Sequence, residues 1–521
     1  MSGRFVNIVW PNWQLFFAGL SLIFTLLALV TLLLLISSKG LSYFWPKPIS
    51  QITFDVPTGN KTVYAYAYTP IEHGDIEESL WLQLDDYHHN KQSAQYYLQK
   101  TQVISEEQPT ELVRVTLRDS RFLLAKPVFV EALGKRLDIS ELAIQRKIVS
   151  RLQEQKRDIQ LGSLASIHST LYDYDQRGVA KDSRAYRIQV ESYNELMNDI
   201  ATIDEIVSQY QLHYQTADGV VKKISLQDIK KVSRVNALSI GTKIAHFFDG
   251  IVQFLTEDDV HDNRSGGVYP AIFGTVLMVL LMTVIVAPLG IIAAIYLTEY
   301  APNNAVVSVI RIAVNNLAGV PSVVYGVFGL GLFVYHLGGN IDALFYADKL
   351  PTPTFGTPGL LWASLTMALL TLPVVIVATE EGLRRVPQNL RHASYALGAT
   401  KFETLKKVIL PAASSSLMTG IVLAIARGAG EVAPMLLVGA VKYAPVLPID
   451  SDFPFVHLER QFMHLGVLIY DGAFHGQAAQ PSATFMFSAC LLLLIVVTLL
   501  NMVAIYIRAK LQSRYRAQVN A

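Results

Sequence analysis

Hydrophobic and polar positions divide the chain into stretches of two kinds. Residues 15–36 are free of charge over a length that suits a membrane helix, because a bilayer core of roughly 30 Å takes about 20 apolar residues. Five further apolar runs occupy about 269–297, 305–336, 358–379, 413–440 and 482–507. Between 51 and 240 the pattern switches to shorter periods. Ile52, Phe54 and Val56 alternate with polar neighbours, as do Tyr64, Tyr66 and Tyr68, then Leu80, Leu82 and Leu84, then Val113, Val115 and Leu117. Alternation of this kind predicts half-buried strands. Asp218-Gly219, between Leu212/Tyr214 and Val221, predicts a hairpin turn. Leu196, Ile200, Ile203, Val207 and Tyr210 recur at helical steps, and a similar stripe runs from Leu142 through Val149 to Leu152, so an amphipathic helical pair is expected. The pattern describes a polytopic α-helical membrane protein of six spans, with an α+β insert between spans one and two.

Composition sharpens this division. The 521 residues are 51% hydrophobic and 16% charged, but residues 37–262 alone hold 26 basic and 31 acidic side chains, leaving 17 and 11 for the rest. The insert has the charge of a soluble domain and the remainder does not. With 43 basic against 42 acidic residues overall, no electrostatic excess supports nucleic-acid binding. The first apolar run is longer than a signal-peptide core, and Ile36-Ser37-Ser38-Lys39 is no small-x-small cleavage site, so an uncleaved anchor is expected. The single cysteine, Cys490, lies in the last run, which excludes an intramolecular disulfide and a cysteine metal framework. His88-His89 would point apart on a strand and lack a third ligand nearby; no metal site is expected.

Basic residues in short loops set the orientation. Residues 383–412 hold Arg384, Arg385, Arg391, Lys401, Lys406 and Lys407, and the tail holds Arg508, Lys510, Arg514 and Arg516. The opposite loops have only Lys349 in 337–357, and Lys442 and Arg460 in 441–481. Both termini are therefore expected on the cytoplasmic side and the insert outside. Pro288, Pro321, Pro373 and Pro434 fall within spans, where they are either tolerated by neighbouring helices or mark local unwinding near a path. Gly326, Gly329 and Gly331 suit close helix packing. Phe455, Leu458, Phe462, Leu465 and Ile469 have helical spacing and predict an interfacial or re-entrant helix at the outer mouth.

Ionisable groups inside a span are costly and mark functional sites by default. Arg427 and Glu431 lie four residues apart in the fifth run and are expected to share a helix face. About 24 Å of helical rise separates Pro411 from Arg427, placing the pair beyond the midplane towards the outside. Arginine suits bidentate contact with oxyanions; the alternative is a mutually neutralising structural pair. Asn316, Ser322, Tyr325 and Thr379 are the remaining polar candidates for lining a translocation path, or for bonding between helices.

A cytoplasmic motif gives these observations a context. His392-Ala393-Ser394-Tyr395-Ala396-Leu397-Gly398 is followed by Val408-Ile409-Leu410-Pro411. This resembles the EAA loop of ABC importer permeases, with Gly398 allowing a bend and Pro411 opening the next helix. His392 stands where that motif has glutamate. Further words occur in order: Phe254-Leu255-Thr256-Glu257, Gly266-Gly267-Val268-Tyr269-Pro270-Ala271, Tyr296-Leu297-Thr298-Glu299-Tyr300-Ala301-Pro302, Asn316-Leu317-Ala318-Gly319-Val320-Pro321, Leu372-Pro373, Thr379-Glu380-Glu381 and Ala426-Arg427-Gly428-Ala429-Gly430-Glu431. Together they resemble the PstA-type permease subunits of bacterial phosphate ABC importers, in a long-insert version, over about 244–508.

The resemblance implies the type I ABC importer (MetI-like) fold and a set of domains. These are a cytoplasmic N-terminus with the first helix (1–36), a periplasmic insert (37–243), a five-helix core (244–508) with the coupling loop at 383–412, and a basic tail (509–521). It implies an inner-membrane subunit that carries inorganic phosphate and couples ATPase closure to alternating access through His392, Ala393, Ser394, Gly398, Leu410 and Pro411. The chain contains no G-x-x-x-x-G-K-[ST], since Gly241-Thr242-Lys243 lacks the preceding loop, so it cannot hydrolyse ATP by that route. The implied partners are a second permease subunit in a heterodimer, two ATPase subunits that bind ATP and Mg, and a periplasmic phosphate-binding protein, within a lipid bilayer. No catalytic residue, metal or cofactor of its own is expected. Two readings compete: a permease of the same fold for another oxyanion, and a membrane-anchored periplasmic sensor or assembly protein; an ion-driven secondary transporter would show repeated halves with midplane carboxylates, for which only Glu431 is a candidate and no repeat is visible.

Overall fold

The computed structural model describes residues 13–57, 59–68, 79–88, 95–119, 121–257, 267–349, 351–451, 453–474 and 480–520. It divides into two compact units, one of Trp45–Asp249 and one formed by the chain on either side of it.

The apolar run near the N-terminus forms α1 (Trp13–Ser42). The insert that follows is built on two antiparallel sheets. β1 (Ser50–Val56), β2 (Gly59–Tyr68), β3 (Ser79–Gln83), β4 (Gln95–Gln99) and β5 (Val103–Glu107) make the first, in the order β4-β3-β2-β1-β5. β6 (Val113–Leu117), β7 (Phe122–Ala132), β8 (Lys135–Leu137), β9 (Gln211–Gln215), β10 (Val221–Ser225) and β11 (Ile229–Ser233) make the second, in the order β10-β9-β7-β6-β11 with β8 paired to β7. Between β8 and β9 run α2 (Leu142–Asp158), α3 (Ala165–Gln176) and α4 (Arg184–Ser208). The alternating triplets do form strands. β2 departs from half-burial, because Tyr64, Tyr66 and Tyr68 enter one apolar cluster while Val63 and Ala65 on its other face enter a second. Leu142, Val149 and Val207 pack against Val115, Leu123 and Leu212 of the second sheet, which accounts for the stripe on each helix. Asp218-Gly219 forms the β9–β10 turn, with Gly219 at a φ of +79°. α4 stops before Tyr210, which is buried beyond the helix end. His88 bridges Asp85 (3.0 Å) and the Tyr214 hydroxyl (2.9 Å); His89 lies outside the described residues. Burial, reinforced by Tyr87 and Asp85, keeps the Tyr214 phenol protonated far above its ordinary range.

After α5 (Ile240–Thr256), the membrane unit continues through α6 (Tyr269–Ile295), α7 (Ala305–Leu317), α8 (Ser322–Phe328), α9 (Gly339–Phe345) and α10 (Leu360–Arg384). Then come α11 (Gln388–Ala396), α12 (Lys401–Thr404), α13 (Leu410–Gly430), α14 (Ala433–Val438), α15 (Leu465–Phe474) and α16 (Gln480–Asn520). Wider π-helical turns extend α6 through Tyr296–Tyr300, join α8 to α9, and join α12 to α13. Among the described residues, six helical stretches are long and apolar enough to cross a membrane: Phe16–Ser42, Tyr269–Tyr300, Ser322–Phe345, Leu360–Arg384, Lys401–Gly430 and Ala483–Lys510. α10 is the most enclosed and packs between α6 and α13, where Met278, Met282, Met367, Val375 and Ala424 share one cluster. α1 touches this bundle through α16, where Gly40 meets Phe487 and its carbonyl accepts from the Ser488 hydroxyl at 2.8 Å. Tyr43, Phe44, Phe254 and Phe485 form an aromatic knot beside that contact.

Three sequence expectations need correction. The third span is not 305–336: α7 ends at Leu317, and the spanning stretch starts afresh at Ser322 after Pro321. Proline disfavours the helical conformation of the residue before it, and hydropathy is blind to that interruption. The fifth span does not run to 440, because α13 ends at Gly430 and Glu431 is extended (φ −82°, ψ 132°). The outer stripe is not one helix. Phe455 and Leu458 lie in irregular chain and Phe462 in a two-residue strand, leaving only Leu465 and Ile469 on α15. Pro288 and Pro373, by contrast, sit inside unbroken helices.

Candidate functional site

The two interruptions lie together. Gly326 of α8 presses on α14 so closely that a Cβ there would stand 2.7 Å from Cα of Pro434. Val320 from the first break and Val432 from the second join the same apolar cluster as Tyr325 and Met435. Tyr325 is buried, and its hydroxyl donates to the Leu317 carbonyl at 2.7 Å, satisfying an acceptor that the end of α7 leaves open. Gly329 serves close packing as expected, because its missing side chain makes room for Thr366. Gly331 has open space around it and no such role.

Arg427 occupies the last turn of α13, where the helix dipole favours a cation. Its Nε lies 3.4 Å from Glu431 Oε1, and about a third and a quarter of the two side chains remain exposed. The pair forms, but across a helix end instead of along a helix face. α8, which carries Tyr325, packs on α14 just beyond Glu431, so both broken segments border the pair. Ser322 is half-buried at the start of α8, whereas Asn316 is exposed near the end of α7. Thr379 is fully buried near the end of α10, and its hydroxyl has no hydrogen-bond partner. Of the six proposed lining residues, Arg427, Glu431, Tyr325, Ser322 and Asn316 lie at the breaks, Asn316 with its side chain exposed, whereas Thr379 lies within α10.

The loop between α10 and α13 is the second candidate. His392 and Ala393 are exposed on α11, and Ser394 turns inward to Thr404 at 2.8 Å. Gly398 closes α11 with a φ of +81°, a conformation costly to residues with a Cβ. Leu410 and Pro411 open α13, with Pro411 in its first turn. Leu390, Tyr395, Leu397 and Phe402 are exposed there, Leu397 to 89%.

Sequence reasoning missed a set of ion pairs behind this loop. Arg391 Nη1 lies 2.6 Å from Glu299 Oε1 and its Nη2 donates to the Leu383 carbonyl at 2.7 Å. Lys401 donates to the Glu299 carbonyl, and Glu380 sits between Arg311 and Arg384 at 3.6 Å from each. The available signal was the charged residues at the ends of apolar runs, Glu299 and Glu380 among them.

Comparison with known proteins gives the chain a family. Residues 286–517 match the family described as "binding-protein-dependent transport system inner membrane component". The chain is 35% identical over 244 residues to a Mycobacterium tuberculosis protein named phosphate transport system permease protein PstA 1, covering 47% of this chain and 71% of that one. The chain belongs to this family, in its PstA-type branch. A Yersinia pestis protein named PstA is likewise 35% identical, over 48% of this chain and 75% of its own. Among solved structures, a chain of the MetNI methionine ABC transporter in an inward-facing conformation is 21% identical over 47% of this chain and 94% of that one, with a TM-score of 0.33. The permease is thus a multi-pass inner-membrane protein with six candidate spans and a sheet-rich insert.

Proposed function

We propose that the chain is the membrane permease subunit of an ATP-driven importer of inorganic phosphate. The observation that carries this reading is Arg427, held inside a transporter bundle where two broken helices meet. A guanidinium at that point offers paired donors to a tetrahedral oxyanion, and broken helices form substrate sites in other transporter folds. The phosphate assignment is supported by relatives named phosphate transport permeases.

The finer mechanism follows from the loop. The exposed apolar side chains of α11 and its turn would dock on an ATPase subunit, and closure of two such subunits would move the spans between outward- and inward-open states. The heterodimeric partner permease, the two ATPases with their ATP and Mg, and a periplasmic phosphate-binding protein belong to this proposal. So do cytoplasmic termini and a periplasmic insert, which the loop charges favour. A membrane sensor would have no use for the docking loop, which favours the permease reading over that rival. The test is reconstitution of the chain with its partner subunits in liposomes. Phosphate uptake that requires ATP and is not competed by sulfate is expected. Equal uptake of both anions would replace phosphate by oxyanions generally, and uptake without ATP would overturn the reading.

A further inference from the structure

We propose that Arg391 and Glu299 form the tie through which movement of the coupling helix reaches the second span. The inference rests on the importer reading above. α11 has two faces. Leu390, His392, Tyr395 and Leu397 point outward, while Arg391 and Ser394 turn towards the bundle. The Arg391 guanidinium spends its fork on two different helices: one nitrogen on the Glu299 carboxylate at 2.6 Å, the other on the carbonyl of Leu383 at the end of α10. Only 12% of the Arg391 side chain and 8% of Glu299 remain exposed. A buried pair of this kind is directional and hard to break, because removing either partner strands a charge.

Three neighbouring contacts make the tie a clamp. Lys401, at the start of α12, donates to the Glu299 backbone and lies over the Tyr300 ring, 4.7 Å from its centre. Ser394 and Thr404 join α11 to α12 at 2.8 Å, so the two short helices move as one piece. Arg311 of α7 holds the Leu297 carbonyl of the same turn at 2.5 Å. The chain itself connects the coupling helix only to α10 and, through α12, to α13. The clamp adds α6, with which it has no sequence adjacency, and grips it at a π-helical turn, a form found often at functional points. Arg391 and Glu299 are therefore positioning residues, while His392, about 100° round the helix from Arg391, is exposed.

The test uses the full chain assembled with its partner subunits in liposomes. Spin labels are placed at Asn389→Cys on α11 and Tyr296→Cys on α6, both exposed and outside the apolar docking set, in a Cys490→Ser background. The distance between them is expected to stay constant with and without ATP in the wild-type clamp and to become ATP-dependent in Arg391→Gln and Glu299→Gln. Uptake by each single variant should fall by about tenfold or more, the size expected for a stranded buried charge, and the swap Arg391→Glu with Glu299→Arg should recover both readouts. A wild-type distance that changes with ATP as much as the variants' overturns the tie, as does a swap that recovers neither readout. The distance is read with ATP alone, so a complex that fails to carry phosphate removes the substrate assignment and still measures the clamp.

Discussion

Arg427 stands where a helix has just ended, and its position separates the two roles open to it. Glu431 neutralises it in this state at 3.4 Å. If the pair were only structural, removing either partner would have the same effect. If the pair opens to present Arg427 to an anion, the two substitutions diverge. Arg427→Gln is expected to lower uptake by about 10- to 100-fold, the value of one or two charge-assisted hydrogen bonds, while Glu431→Gln keeps most of it. Uptake assays with co-purification of the partner subunits check this, and loss of assembly in Arg427→Gln would assign the pair to structure. His457 carries a pH prediction. It is nearly buried in the loop before α15, with ring nitrogens 3.0 Å from Asp450 and from Glu459, and with Arg460 beside Asp450. Burial disfavours its charged form, but the two carboxylate contacts, set against the Arg460 charge, hold its pKa above the ordinary 6.5. A raised folded pKa means stabilisation that is full below 6.5 and lost as pH climbs through the folded value. Chymotryptic cleavage at exposed Phe455 should accelerate across that window, and should be insensitive to it in His457→Gln.

At the scale of elements, the turn between α11 and α12 depends on backbone conformation. Gly398 has open space around it, so bulk alone would be tolerated, but its φ of +81° would not. A β-branched residue there costs about 1–2 kcal/mol in strain, and asparagine accepts the conformation more readily. Gly398→Val should therefore lose most uptake with normal membrane levels, and Gly398→Asn should retain most. This glycine was legible in the sequence because a motif surrounds it. The breaks were half legible: Pro321 and Pro434 stood among four prolines open to unwinding, but Asn316 to Pro321 and Gly430 to Pro434 read as nearly continuous apolar chain, and a hydropathy window averages over the one or two residues whose dihedrals end the helix. The outer stripe misled for the opposite reason. Phe455, Leu458 and Phe462 keep helical spacing although hydrogen bonds around His457 hold that stretch irregular. Strand triplets in the insert were legible from alternation, but the pairing of β1 with β5 and of β6 with β11 depends on partners far along the chain. The Arg391–Glu299 pair, 92 residues apart, was hidden by the same distance.

For the whole molecule, the insert matters as a body with its own interior. Its clusters around Tyr214, Tyr66 and Leu82 are drawn from Trp45–Asp249 alone. That segment expressed by itself should unfold in one cooperative thermal step, at about 45–65 °C as ordinary domains do. Circular dichroism measures it, and a gradual loss of signal would show that the segment needs the membrane unit. The sequence assigned the bundle a family and gave the insert none; the structure supplies its architecture, two sheets and three helices.

The contact between Gly40 and Ser488 sets a schedule. Its partners are 448 residues apart, and a ribosome adding about 5–20 residues each second needs roughly 20–90 s to make that length. Throughout that interval α1 has no α16 to lean on. The apolar surface of α1, largely exposed along its length, suits that wait in a bilayer. The seat against α16 can be taken only after α16 is made, so a segment synthesised early finds this part of its place late.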